Sequence, residues 1–348
     1  MPPRRIIARA LVPAVVAAVL SLPTVTAAAD EPESLGKFDR WVTGIVYLPD
    51  GKTLVTVGGE SLLYRPGDVY YWDAETGKHV RTIPEQASTV WSVAISPDGQ
   101  QLATANYTKT VQLYGAADGK PQAKLEGHTS WEIGLRYSPD GKLLGSASED
   151  MTVKLWGPAE KKEVGALAGH KAAVRAVAFS KDSQTAATAS HDKTIKLWNV
   201  AERKEQATLE GHADAVWDVA FQPGGDLLAS GGADRVIKLW NPAEGKEQAT
   251  LEGHTGWITC LAFSPDGKTL ASAGFDRTIK LWSMPEGKEQ ATLTADQGTI
   301  WSLAFSPDGK TLASGGKQGV RRWDVKSGME RPWPGQEKKE ASKEKAEE

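Results

Sequence analysis

The chain has 348 residues, 40% of them hydrophobic and 24% charged, a balance that can enclose a sizeable core. Its formal net charge is −3, so nothing in the composition supports nucleic-acid binding through phosphate neutralisation. The single cysteine, Cys260, excludes an internal disulfide.

Residues 1–29 differ in character from the rest of the chain. Arg4, Arg5 and Arg9 precede the apolar run ALVPAVVAAVLSL, and Ala27 and Ala29 supply small residues before Asp30. That order is the layout of a secretory signal peptide, with cleavage expected after Ala29. An uncleaved anchor is the alternative, but the run is short for a membrane span and Pro13 interrupts it. Cleavage removes three arginines and leaves a formal charge of −6. The working domain is therefore expected in the periplasm or outside the cell.

From about residue 33 to 329 the chain repeats itself. Seven units end on Trp72, Tyr114, Trp156, Trp198, Trp240, Trp282 and Trp323, spaced by 42 residues five times and by 41 once. A fixed period of this size marks a repeat architecture. In the sixth unit KEQATLEG (246–253) and WITCLAF (257–263) read as strands, and SPDG (264–267) suits a type I turn with Pro265 second and Gly267 fourth. TLASA (269–273) and TIKLW (278–282) are two further strands joined by the tight turn FDR. Four antiparallel strands per unit predict an all-β, seven-bladed propeller around a central channel.

The GH pairs at 127–128, 169–170, 211–212 and 253–254, the SPDG-like turns and the LW endings make the chain resemble the WD-repeat β-propeller family over about 300 residues. The Asp of the name survives only at Trp72-Asp73 and Trp323-Asp324. The resemblance implies that each repeat supplies the outer strand of one blade and three inner strands of the next. The last blade then needs a closing strand. DVKSGMERPWPG after Trp323 holds Pro332 and Pro334 and makes a poor one, whereas ESLGKF (33–38) aligns with ATLEGH (249–254). An N-terminal strand is thus expected to close the ring and hide its edge. The chain divides into a signal peptide (1–29), the propeller (30–330) and a charged disordered tail (331–348), of which QEKKEASKEKAEE (336–348) is nearly all charge and alanine.

His128, Ser146, Asp150 and Trp156 recur at identical offsets as His170, Thr188, Asp192 and Trp198, as His212, Ser230, Asp234 and Trp240, and as His254, Ser272, Asp276 and Trp282. Four hydrolase triads would need exposed hydroxyls and oxyanion holes. These hydroxyls sit mid-strand between small apolar residues, and one is a threonine. The resemblance implies instead a buried chain of bonds from indole to hydroxyl, imidazole and carboxylate, with no catalytic residue. Blade 2 carries Gln86, Thr104, Thr108 and Tyr114 in the four places, and blade 7 has Asp296 and Ser314.

Of the thirteen tryptophans, Trp41, Trp91, Trp131, Trp217, Trp257 and Trp301 begin the innermost strands, in two registers two residues apart and so on one side of the strand. Blade 4 has Arg175 instead. The resemblance implies that these positions rim the top of the channel, where partners dock. Beside them come Glu149, His191, Ala233 and Phe275, and a blade 1 loop with Tyr64 and Arg65. Aromatics grouped with an arginine have the composition of a binding hot spot; packing between blades is the structural alternative. The expectation is an exported, monomeric, non-catalytic scaffold that binds a protein or peptide on its top face, with no cofactor and no metal. A lectin-like propeller holding a glycan on the same tryptophans is one rival. An enzyme in the channel mouth is another, for which Glu132, Glu149 and Asp218 offer carboxylates but no spacing that singles out a pair.

Overall fold

The computed structural model describes residues 32–59, 66–295 and 298–335. The signal segment, Tyr64, Arg65, Asp296 and residues 336–348 lie outside the described residues.

Seven antiparallel sheets form the blades, each built from strands consecutive in the chain. Blade 6 is typical, running from the channel outward as Ile258–Phe263, Thr269–Gly274, Thr278–Ser283 and Lys288–Thr294. The innermost strand of every blade packs on those of its two neighbours, and blade 1 meets blade 7. The hairpins follow from the SPDG chemistry. Gly267 takes φ +70° and its N–H bonds the Ser264 carbonyl at 2.8 Å. The Ser264 hydroxyl donates to Asp266 at 2.6 Å, and Asp266 accepts the Lys268 N–H at 3.0 Å. The apolar core lies between blades: Ile195 and Leu197 of blade 4 cluster with Val216, Leu228 and Trp240 of blade 5.

One irregularity recurs in all seven innermost strands. The pairing with the second strand skips one residue, a β-bulge, at Thr43, Trp91, Ile133, Arg175, Trp217, Thr259 and Trp301. A bulge breaks the two-residue alternation and re-aims the side chain beside it. The two tryptophan registers are therefore not equivalent, contrary to the alternation argument. Trp91, Trp217 and Trp301 occupy bulge positions; Trp41, Trp131 and Trp257 precede them by two.

Ring closure differs from the expectation. Blade 7 has three strands, Ile300–Phe305, Thr311–Gly316 and Gly319–Asp324, and the N-terminal segment adds no fourth. Leu35–Lys37 is a 3-10 turn, and Ser34 bridges Lys78 of blade 1. The segment still ties the ends together, because Gly319 donates to the Arg40 carbonyl at 3.1 Å and Phe38 packs edge-on against Tyr70 and Trp72. The opposite end of the blade 7 edge is covered by the chain's own return: Trp323 bridges Glu330, and the Arg331 N–H bonds the Arg322 carbonyl at 2.8 Å.

Trp333, expected in a disordered tail, is 1% exposed. It fills the seam with Leu35 and Phe38, and Gly77 has no room for a Cβ beside its indole. The Arg322 guanidinium lies 4.8 Å from the Trp333 ring and donates to the Ala74 and Glu75 carbonyls of blade 1 at 3.1 and 2.9 Å. Proline-rich chain cannot extend a sheet, but it can plug one. Trp333→Ala should cost about 3–5 kcal/mol in urea unfolding, the usual loss for a buried Trp→Ala. A chain ending after Glu330 should be similarly weakened, and one ending at Gly335 should unfold like the full propeller.

Candidate functional site

The four repeated constellations close into the same network. Each imidazole Nδ1 meets its carboxylate at 2.7–2.8 Å and each Nε2 meets its hydroxyl at 2.7 Å. Each indole donates to that hydroxyl at 2.8–2.9 Å. The neutral tautomer that satisfies every partner carries its proton on Nδ1. The hydroxyls of Ser146, Thr188, Ser230 and Ser272 belong to residues with 0% exposure, so no substrate carbonyl reaches them. Burial alone would raise the carboxyls of Asp150, Asp192, Asp234 and Asp276. Hydrogen bonds from the imidazoles and from nearby backbone N–H groups outweigh it and hold all four below the usual range, Asp192 at about 2.

The other blades keep parts of the network. Trp72 donates to Thr56 at 2.8 Å and Trp323 to Ser314 at 3.1 Å, while in blade 2 Gln86 bonds the Tyr114 hydroxyl at 3.1 Å and Thr108 turns to Asn106.

The three carboxylates considered for an enzyme have three different environments. Glu149 is exposed on a tight turn. Asp218 accepts the N–H groups of Val219 and Leu261, both at 2.8 Å, and so fastens blade 5 to blade 6. Glu132 is 0% exposed, at a position held in the other six blades by Val42, Val90, Val174, Val216, Ile258 and Ile300. Neither of its oxygens has a hydrogen-bond partner among the described residues. Burial, with the charge of Asp150 adding to it, pushes its pKa up to about 9.

The bulge residues converge at one mouth of the channel, where all seven line a single recess. Trp217 is its hub. The Arg175 guanidinium stacks 4.3 Å over Trp217, and His191, Trp257, Phe275 and Trp301 stand 5.7–6.4 Å from it. Trp301 meets Trp91 at 6.1 Å, Trp91 meets Tyr107 at 5.6 Å, and Tyr107 meets Trp131 at 4.7 Å. The result is one continuous aromatic band. Trp257 and Phe275 are 44% and 40% exposed and touch each other at 5.1 Å. Trp41 stands outside the band, beneath the Lys317 ammonium at 5.7 Å. Burial lowers the Arg175 guanidinium to about 10, so it stays charged at neutral pH. The Cys260 thiol lines the recess and is raised by burial, which keeps it protonated and unreactive.

Sequence reasoning missed Tyr107, Lys317, Thr43, Ile133 and Thr259. Tyr107 precedes the tight-turn position as His191 and Phe275 do, but Thr108 stands where blades 3 to 6 have Asp. Blade 7 is one residue short, which hid Lys317. The remaining three share the repeat position of Arg175, and only a bulge at that position points them inward.

A ring of seven such sheets, bound internally by repeated Trp–Ser/Thr–His–Asp chains, defines a repeat-built β-propeller. Residues 77–115, 119–157, 161–199, 203–241, 245–283 and 287–324 each match the WD40 family (WD domain, G-beta repeat), and the chain belongs to that family. Such propellers are typically protein-interaction scaffolds. The chain is 31% identical over 78 residues to Protein LST8 homolog of Drosophila melanogaster, covering 20% of this chain and 25% of that protein. Its counterpart in Drosophila pseudoobscura pseudoobscura is 30% identical over 79 residues with the same coverage. The chain thus spans about a quarter of the length of these relatives.

Two predictions concern the buried groups. His212→Ala leaves Asp234 without its imidazole and should cost roughly 2–4 kcal/mol in thermal unfolding. Because the four aspartates have depressed folded pKa values, their stabilisation is present above the unfolded value near 4 and is lost as pH falls. Wild type should therefore show a steep acid transition below about pH 4, less steep in His212→Ala. Glu132 has the opposite sign. Its unfolded form ionises near pH 4.3 while the folded form keeps its proton to about 9, so it costs stability as pH rises between them. Glu132→Val should raise the melting temperature by a few degrees at pH 8 and by less at pH 5.

Proposed function

We propose that this protein is an exported, non-catalytic platform that holds a protein or peptide partner on the channel mouth. The observation that carries the reading is the aromatic band. Among the described residues exposed large hydrophobics are few, and Trp257 and Phe275 are two of the five, adjacent to one another and continuous with Trp217 and Trp301. A contiguous apolar patch beside a stacked arginine has the composition of a docking hot spot. The tryptophans of the third strands do different work, each donating to a hydroxyl inside its blade. The non-catalytic reading is supported by the burial of the four hydroxyls that meet a histidine Nε2, those of Ser146, Thr188, Ser230 and Ser272. Export rests on the arginine-led apolar segment, and the mature chain is expected to begin at Asp30, which N-terminal sequencing of the secreted protein would read.

The double variant Trp257→Ala with Phe275→Ala should weaken partner retention at least tenfold, about 1.4 kcal/mol, and move the melting temperature by no more than a degree or two. Trp240→Ala should do the reverse, lowering stability first. Saturable quenching of tryptophan fluorescence by glycans, abolished in the double variant, would instead assign the mouth to carbohydrate.

A further inference from the structure

The recess at the channel mouth is short of acceptors. Trp91 Nε1, Trp301 Nε1 and Arg175 Nε are buried, line this one recess, and have no hydrogen-bond partner among the described residues. All three groups can only donate. His191 Nε2, on a ring 5.8 Å from that of Trp217, is likewise unpartnered among the described residues. Folded proteins leave few buried polar groups unbonded, so three such donors on residues lining one recess call for an explanation. Arg175 makes no ion pair among the described residues. Of the acids near it, Asp218 is engaged by two backbone N–H groups and Glu149 lies out on the tight turn. Arg136, which lines the recess together with Asp218, is a second cation.

We propose that the recess is a carboxylate pocket: an Asp or Glu side chain of the partner's docking segment enters the channel mouth and accepts hydrogen bonds from the Arg175 guanidinium and the indole N–H groups of Trp91 and Trp301. Apolar residues flanking that acid cover Trp257 and Phe275. The proposal rests on the mouth being a protein-docking face. Stacking on Trp217 fixes the plane of the guanidinium, and a planar fork matches a carboxylate. A carboxylate suits the site better than a phosphate, because the planar guanidinium matches a planar acceptor and the buried Asp218 carboxyl, whose pKa burial raises, adds no positive charge to balance a dianion. A peptide suits it better than a free acid, because the exposed Trp257–Phe275 pair adjoins the hub and only a flanking side chain covers it.

The test is selection of phage-displayed random peptides on the mature propeller, with affinities of the selected peptides read by fluorescence anisotropy. Selected sequences should share an Asp or Glu next to apolar residues. Changing that acid to its amide leaves the protein untouched and should weaken binding at least tenfold. Arg175→Met should weaken the acidic peptide as much and the amide peptide hardly at all. Trp91→Phe and Trp301→Phe keep the rings, lose the N–H groups, and should each cost about threefold or more. Binders that need Trp257 and Phe275 but lack an acid, or that ignore the amide change, overturn the carboxylate pocket and leave the docking face standing. A phosphoserine peptide that outcompetes its aspartate form also overturns it. A library with no binders, or only binders indifferent to Trp257→Ala with Phe275→Ala, overturns the docking face and this inference with it.

Discussion

A hydroxyl in the middle of a buried strand is costly to leave unbonded, and the regular blades are organised around that cost. Ser146, Thr188, Ser230 and Ser272 each receive an indole N–H from the third strand and meet an imidazole from the incoming loop. The imidazole in turn holds the aspartate of the tight turn. One hydroxyl thus fixes four elements of a blade at once. The network also steadies an unfavourable backbone. Met151, Lys193, Arg235 and Arg277, each following its aspartate, take φ between 65° and 73°, a region that costs a non-glycine residue about 1–2 kcal/mol. In blades 3 and 6 the carboxylate accepts the N–H just after that residue, from Thr152 or Thr278, and an N–H of the incoming loop beside the histidine, from Thr129 or Thr255.

The same residue type serves two purposes that only geometry separates. A tryptophan on the third strand has its N–H spent on a hydroxyl and its ring between sheets. A tryptophan at a bulge has its ring half-buried at the channel mouth, and in Trp91 and Trp301 an N–H with nothing to bond. The bulge is the device that divides them. It removes one residue per blade from the ladder and gives that residue to the recess. The division is not complete: the hydroxyls of Thr43 and Thr259 donate to the Val90 and Ile300 carbonyls of the next blade, so at those two bulges the mouth and the scaffold are coupled.

Much of this was legible in the chain. The 42-residue period gave the blade count, and the constant offsets among His, Ser or Thr, Asp and Trp gave the buried networks, because both are local and repeat. What was hidden is what breaks the repeat. A bulge leaves no mark in composition, so the strand alternation put Trp131 and Trp217 on one side when they have different tasks. The prolines at 332 and 334 rightly argued against a strand but gave no hint that Trp333 between them is core, since its cavity is formed by residues some 250 positions away. Glu132 read as a rim acid because its neighbour Trp131 is at the rim; a one-residue step turned it inward.

The seam between blades 1 and 7 carries a consequence for how the molecule assembles. Nearly all packing joins blades that are adjacent in the chain, whereas the seam joins Ile45 to Ser302 and Ala74 to Arg322, 257 and 248 positions apart. Blades can therefore condense in succession, each on the one before, with little chain entropy at stake. Closing the circle is the one step that brings distant ends together, at a loop-closure cost that grows only slowly with length. The Arg322 and Trp333 contacts are absent until that step is complete. Propeller biogenesis thus ends on a latch made last, and a chain released before the latch forms is an open, curved array with two uncovered end blades.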